Sequence, residues 1–248
     1  MCLIVFAWRP KHDEPLILAA NRDEFYVRPS APLGIWEDHP TIIGGRDLTA
    51  GGTWLAAGID GRFATVTNIR DPQQSVSERS RGELPKRFLQ GHYSAEEYVH
   101  EVARHSGEYT GFNLIVGDED ALWHLNSRSN RPHQLPAGIY GVSNADLETP
   151  WPKLLRAKAS FEQALRAPTD EALLAILADP WRPDPATLPH TGITRELEIL
   201  LSSVFIASAD YGTRASTLLR RKASGQISIT ERRFGAQGIG LGKTSLTL

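Results

Sequence analysis

Leu3-Ile4-Val5-Phe6-Ala7-Trp8, directly after Cys2, and, after the turn-forming residues Lys11 to Pro15, Leu16-Ile17-Leu18-Ala19-Ala20-Asn21, running on into Arg22-Asp23-Glu24-Phe25, read as two extended segments. Both are short, apolar and bounded by turn chemistry, which favours strands over helices. Paired antiparallel, they bring the polar end of the second beside the start of the first, so Asn21, Arg22 and Asp23 gather around Cys2.

Working outward, Trp54 to Gly58 and Phe63 to Ile69 form a second antiparallel pair, joined at Ile59-Asp60-Gly61-Arg62, where Asp-Gly accepts positive φ. Between the pairs, Arg22 to Thr53 reads as one long irregular stretch broken by prolines 29, 32 and 40. Its aromatic residues Phe25, Tyr26 and Trp36 argue that it packs over something. Helical spacing follows at Glu83 to Leu89 and at Ala95 to Ala103, the latter with Ser94 as N-cap and Glu97 as its capping-box partner. Strands return at Phe112 to Val116, Ala121 to Leu125 and Ile139 to Val142. Helices come next at Leu154 to Leu165, striped by Leu154, Phe161 and Leu165, and at Glu171 to Leu177. The finish is strand-like at Val204 to Ala207, Ser216 to Arg220, Ile227 to Glu231 and Ser245 to Leu248, after a proline-rich surface loop from Asp179 to His190. Strands, two helices, strands, two helices, strands is the order of an α+β protein with helices outside two layers of mostly antiparallel sheet.

The 27 basic and 29 acidic residues are interleaved and give a formal charge of −2, so nothing marks a nucleic-acid or anionic-membrane surface. The apolar opening is too short for a membrane span or a signal peptide. One cysteine forms no intrachain disulfide, and a reducing, cytoplasmic setting is the expectation. The eight histidines lack metal-ligand spacing, so no metal site is assigned. Gly240-Leu241-Gly242-Lys243-Thr244 imitates a phosphate loop, but Gln237 stands where its first glycine belongs. Nothing in the sequence reports the oligomeric state.

Chemistry points to Cys2, which removal of Met1 would expose with a free α-amine able to accept the thiol proton. The competing account makes Cys2 a small buried hydrophobe at a strand start. Arg22 near a thiol stabilises thiolate, and Asp23 beside an α-amine orients it. Asn68 and Asn144 both stand at strand ends, where amide N–H groups can hold an oxyanion or simply terminate the strand.

Met1-Cys2, Asn21-Arg22-Asp23-Glu24, Gly51-Gly52-Thr53-Trp54, Thr67-Asn68, Gly111-Phe112-Asn113-Leu114-Ile115, Tyr140-Gly141-Val142-Ser143-Asn144, Glu148-Thr149-Pro150-Trp151 and Tyr211-Gly212-Thr213-Arg214 resemble, in this order, the NRDE family, also called the transport and Golgi organisation protein family. The resemblance implies a single domain over residues 1–248 with a four-layer αββα sandwich, the N-terminal-nucleophile hydrolase-like fold. The family is associated with secretory-pathway organisation, haem trafficking and lipid or coenzyme A metabolism. A more distant resemblance, to the bile-salt-hydrolase and penicillin-acylase group, implies Cys2 as nucleophile, Arg22 and Asp23 at the end of the second strand, and Asn68 and Asn144 at the oxyanion site. In that group the arginine and aspartate are separated; here they are adjacent.

Two functions compete. A cysteine-dependent hydrolase of a small-molecule amide or related acyl bond would use these five residues, with Asn21, Trp54 and Arg214 contacting substrate and no cofactor required. A carrier of haem or another hydrophobic metabolite would use the same scaffold, with Cys2 or a histidine as axial ligand.

Overall fold

The computed structural model describes residues 2–248. The first hairpin is β1 (Cys2–Trp8) and β2 (Leu16–Phe25), joined antiparallel. β1 is buried on both faces from Leu3 onward, which is why it reads as an unbroken apolar run without alternation. Arg22 to Thr53 is not irregular: it holds β3 (Ser30–Trp36) and β4 (His39–Asp47). β3 is an edge strand with two register shifts against β4, and such strands tolerate the prolines and glycines that disguise them. β5 (Leu55–Gly58) and β6 (Phe63–Asn68) pair as expected, with Gly61 in the turn at φ +83°.

α1 (Glu83–Gln90) and α2 (Ala95–Arg104) follow, and Ser94 and Glu97 form the predicted capping box. Then come β7 (Phe112–Gly117), β8 (Leu122–Asn126), β9 (His133–Gln134) and β10 (Gly138–Val142). α3 (Pro152–Ala164) and α4 (Asp170–Ile176) follow, then α5 (Arg195–Leu200), which the periodicity did not reveal in its six residues. The chain closes with β11 (Tyr211–Arg221), β12 (Ile227–Phe234) and β13 (Gly240–Thr247). Val204 to Ala207 is not a strand; Ile206 instead exchanges hydrogen bonds with Thr213, receiving its N–H at 2.8 Å and donating its own to Oγ1 at 3.0 Å. The Gly240 to Thr244 segment lies on β13, an edge strand, not on a phosphate-binding loop.

Two antiparallel sheets result, ordered β10-β1-β2-β11-β12-β13 and β3-β4-β5-β6-β7-β8-β9. Their facing sides share one core, to which Phe6 and Leu18 of the first sheet and Leu55, Phe63 and Ile115 of the second contribute. The outer face of the first sheet packs Val5, Ile17 and Ala19 against Leu154 and Phe161 of α3 and Leu173 of α4. The outer face of the second packs Ala64 and Leu114 against Leu84, Phe88 and Tyr98 of α1 and α2. The layers are therefore α, β, β, α. Among the described residues no helix is long and apolar enough to cross a membrane.

Candidate active site

The two-residue period of β1 and β2 sorts the residues at their polar end. Cys2 pairs with Arg22 and Leu3 with Asn21, and directly opposed residues share a face. Even-numbered Ile4, Phe6, Leu18 and Ala20 enter the inter-sheet core, so Cys2 and Arg22 are directed toward the second sheet. Odd-numbered Leu3, Ile17 and Ala19 face the outer helices, and Asn21 and Asp23 follow them.

Cys2, Arg22 and Asp23 line a cleft of about 160 Å³, closed from the second sheet by Trp54 and Asn68 and from the turn before α1 by Arg81. Trp54 lies under the Arg22 guanidinium, 4.5 Å from carbon to ring centroid. The expected placement of Asn21 in the binding cleft is overturned. Its Nδ2 donates to the carbonyls of Leu177 and Val204 at 2.8 and 2.9 Å, and its Oδ1 accepts from Ser216 at 2.6 Å. Asn21 thus clamps the outer layer. Arg214 also stands apart from the Cys2 cleft, in a neighbouring one that shares Arg22 and Trp54.

The two asparagines meet, but not side by side in the cleft. Asn144 Nδ2 donates to both the backbone carbonyl and Oδ1 of Asn68, each at 3.0 Å. Asn68 lines the Cys2 cleft, whereas Asn144 lines a separate cavity of about 500 Å³. With its oxygen held from behind, Asn68 has Nδ2 left to offer an incoming carbonyl. Ser143 reinforces the junction, its hydroxyl 3.0 Å from the Cys2 carbonyl and 3.2 Å from Asn144 Oδ1. The Ser143 carbonyl accepts from Thr67 at 2.8 Å, tying the ends of β6 and β10 across the two sheets.

Behind Asp23 lies a buried polar group that sequence reasoning missed. Thr213, opposite Asp23 on β11, donates to its Oδ1 at 2.7 Å, and Tyr211 donates to its backbone carbonyl at 3.1 Å. Lys153 of α3 donates to the Leu201 carbonyl at 2.9 Å. Its signal was present: Lys153, Ala157 and Phe161 share one helical stripe, so a lysine occupies the buried face. Thr213 stood in the sequence only within the resembling Tyr211-Gly212-Thr213-Arg214 stretch, with no role attached, and Arg81 carried no signal, because only the pairing of distant strands and loops brings them here.

Burial pushes the Cys2 thiol above its ordinary range, and the Asp23 carboxylate adds to this; Arg22 and the Asp23 backbone N–H pull the other way. Burial likewise raises the Asp23 carboxyl, opposed by Lys153, Thr213 and Arg22. Lys153 is pushed down to about 8 by burial, with Asp23 holding it up. Burial also lowers Arg81, against the pull of a Cys2 thiolate. The arrangement offers a thiol held mostly protonated until a base takes its proton, cations that favour the resulting thiolate, and an oriented amide on the facing wall.

A family model described as Transport and Golgi organisation 2 matches residues 1–236. The transport and Golgi organization protein 2 homologs of Bos taurus and Homo sapiens are each 36% identical over 255 residues, covering 94% of this chain and 92% of the relative. Among solved structures, a conjugated bile acid hydrolase from Clostridium perfringens aligns with a TM-score of 0.53 at 9% identity, over 100% of this chain and 92% of that one. That likeness is one of fold, the αββα N-terminal-nucleophile hydrolase-like sandwich. A family model spanning nearly the whole chain, together with relatives at 36% identity, makes this chain a member of the Transport and Golgi organisation 2, or NRDE, family.

Proposed function

We propose that this protein is a cysteine-dependent N-terminal-nucleophile hydrolase acting on a non-peptide amide or related acyl bond of a small molecule. The observation that carries the proposal is the single cleft that Cys2, Arg22 and Asp23 of the first sheet line together with Asn68 of the facing sheet. The hydrolase-like scaffold supports it.

Removal of Met1, a residue outside those described, frees the Cys2 α-amine. That amine takes the thiol proton as Sγ attacks the carbonyl carbon, and Asn68 Nδ2 donates to the oxyanion. The resulting ammonium returns the proton to the leaving nitrogen as the C–N bond breaks, leaving a thioester on Cys2. Water, with its proton drawn by the same amine, then hydrolyses the thioester and restores the thiol. Arg22 favours the thiolate, and Asp23 orients the amine.

Intact mass of the natively expressed chain, before and after exposure to a panel of reactive amides, lactones and thioesters, tests this. Loss of Met1 with one acyl group on Cys2, absent in Cys2→Ala, is the expected result. Retained Met1 and an inert Cys2 would rule the mechanism out.

A further inference from the structure

Arg22 belongs to two clefts. The second, of about 130 Å³, opens on the far side of the Arg22–Trp54 stack and is also lined by Arg214, Glu231 and Arg233. Two β-bulges shape it. β11 shifts register against β2 at Arg214, the extra residue between Thr213 (opposite Asp23) and Ala215 (opposite Arg22). β12 shifts against β13 between Arg233 and Phe234. Bulges re-aim side chains, and these two occur where arginines line the cleft.

The cationic charge is weakly compensated. Arg22 is 6% exposed, and its acidic neighbours Glu24 and Asp47 lie at 3.8 and 3.9 Å, beyond hydrogen-bond range. Asp47 is already engaged by Arg28 at 2.8 Å. Arg22 Nη1 and Arg233 Nε are buried with no hydrogen-bond partner among the described residues. Arg214 donates to the carbonyls of Phe25 and Arg28, which neutralise no charge. Among the described residues Glu231 is the one carboxylate in a lining with three arginines; its Oε1 accepts from the Leu33 N–H at 2.8 Å, and burial raises its carboxyl while that hydrogen bond and the Arg233 and Arg22 charges oppose the rise. A buried guanidinium left this way is costly unless an anion completes it. The remaining walls, Pro32, Phe234 and Leu241 among them, are apolar.

We propose that this second cleft binds a small organic carboxylate, its head against Arg22, Arg214 and Arg233 and its short apolar body against Pro32, Phe234 and Leu241. The volume of about 130 Å³ is close to that of the engineered apolar cavity of about 150 Å³ that holds a benzene ring, which suits a body of a few carbons. Because Arg22 also lines the Cys2 cleft, the bound carboxylate neutralises a cation that favours the Cys2 thiolate, so occupancy slows reaction at Cys2.

The test is calorimetric titration of the full chain with butyrate, inorganic phosphate and 1-butanol, together with the rate of Cys2 alkylation by iodoacetamide. Saturable butyrate binding is expected, tighter than for either other probe. It should persist in Cys2→Ala and weaken about tenfold or more in Arg233→Gln. The same loss is expected in Leu241→Asp, a site 57% exposed and so safe for folding. Butyrate should also slow alkylation of the unaltered chain. Absence of saturable butyrate binding, phosphate binding as tightly as butyrate, or butyrate binding that ignores both variants yet disappears when Cys2 is alkylated would each overturn the proposal.

Discussion

In the proposed mechanism Asn68 and Asn144 divide one task. Asn68 reaches the cleft, and Asn144 holds its oxygen through two 3.0 Å hydrogen bonds. Asn68→Ala should lower the acylation rate of Cys2 about 10²–10³-fold, the cost of removing an oxyanion donor. Asn144→Ala should slow it too, and the double variant should be little slower than Asn68→Ala, because an orienting residue has nothing left to orient. Pre-steady-state acylation rates of the four proteins decide this; additive losses would show that Asn144 acts independently. At this scale the sequence showed which residue types bear chemistry but grouped Asn21 with Arg22, which the register of β1 and β2 puts on opposite faces. It did not show that Asn144 backs Asn68, since that relation joins the ends of β6 and β10 from different sheets.

Elements with local signals were the legible ones. Ser94 accepts from the Glu97 N–H at 3.2 Å and Glu97 returns the bond to the Ser94 N–H at 2.9 Å, both fixed within four residues of chain. Ser94→Ala should cost about 1 kcal/mol in urea unfolding and leave Cys2 reactivity unchanged. Gly52 presents the opposite case. A Cβ there would come 2.3 Å from the Gly82 carbonyl carbon, where the Thr53 N–H bonds the Gly82 oxygen at 2.9 Å. Because both partners are backbone, Gly52→Ala should cost about 1–3 kcal/mol. By displacing the turn that carries Arg81, it should also change the Cys2 alkylation rate, which Ser94→Ala leaves alone. β3 and β4 escaped the sequence reading because their prolines and glycines are accommodated by an edge position and bulges, properties of the sheet and not of the segment.

For the whole molecule, acid stability should follow His124. Burial pushes this β8 histidine down to about 3, with His133 adding to the effect, and its ring lies 3.2 Å from Asn113 Oδ1. The unfolded chain takes up the proton first, near pH 6.5, so the contribution is intact above that value and is lost as pH falls toward 3. Between pH 7 and 4.5 the loss should be about 2–3 kcal/mol. His124→Gln should flatten the profile by that amount in urea unfolding at the two pH values; an unchanged slope would assign the acid sensitivity elsewhere. By itself the sequence determined the α+β class, the antiparallel pairing of its first strands and the position of Cys2 beside Arg22 and Asp23, because strand period, turn chemistry and caps act over a few residues. Only the tertiary structure decided that Asn21 clamps the outer layer, that Lys153 and Thr213 stand behind Asp23 and that Arg22 is shared between two clefts. Those relations join residues as far apart as Asn21 and Ser216, 195 positions, and such contacts arise from how two sheets and their helices close on one another.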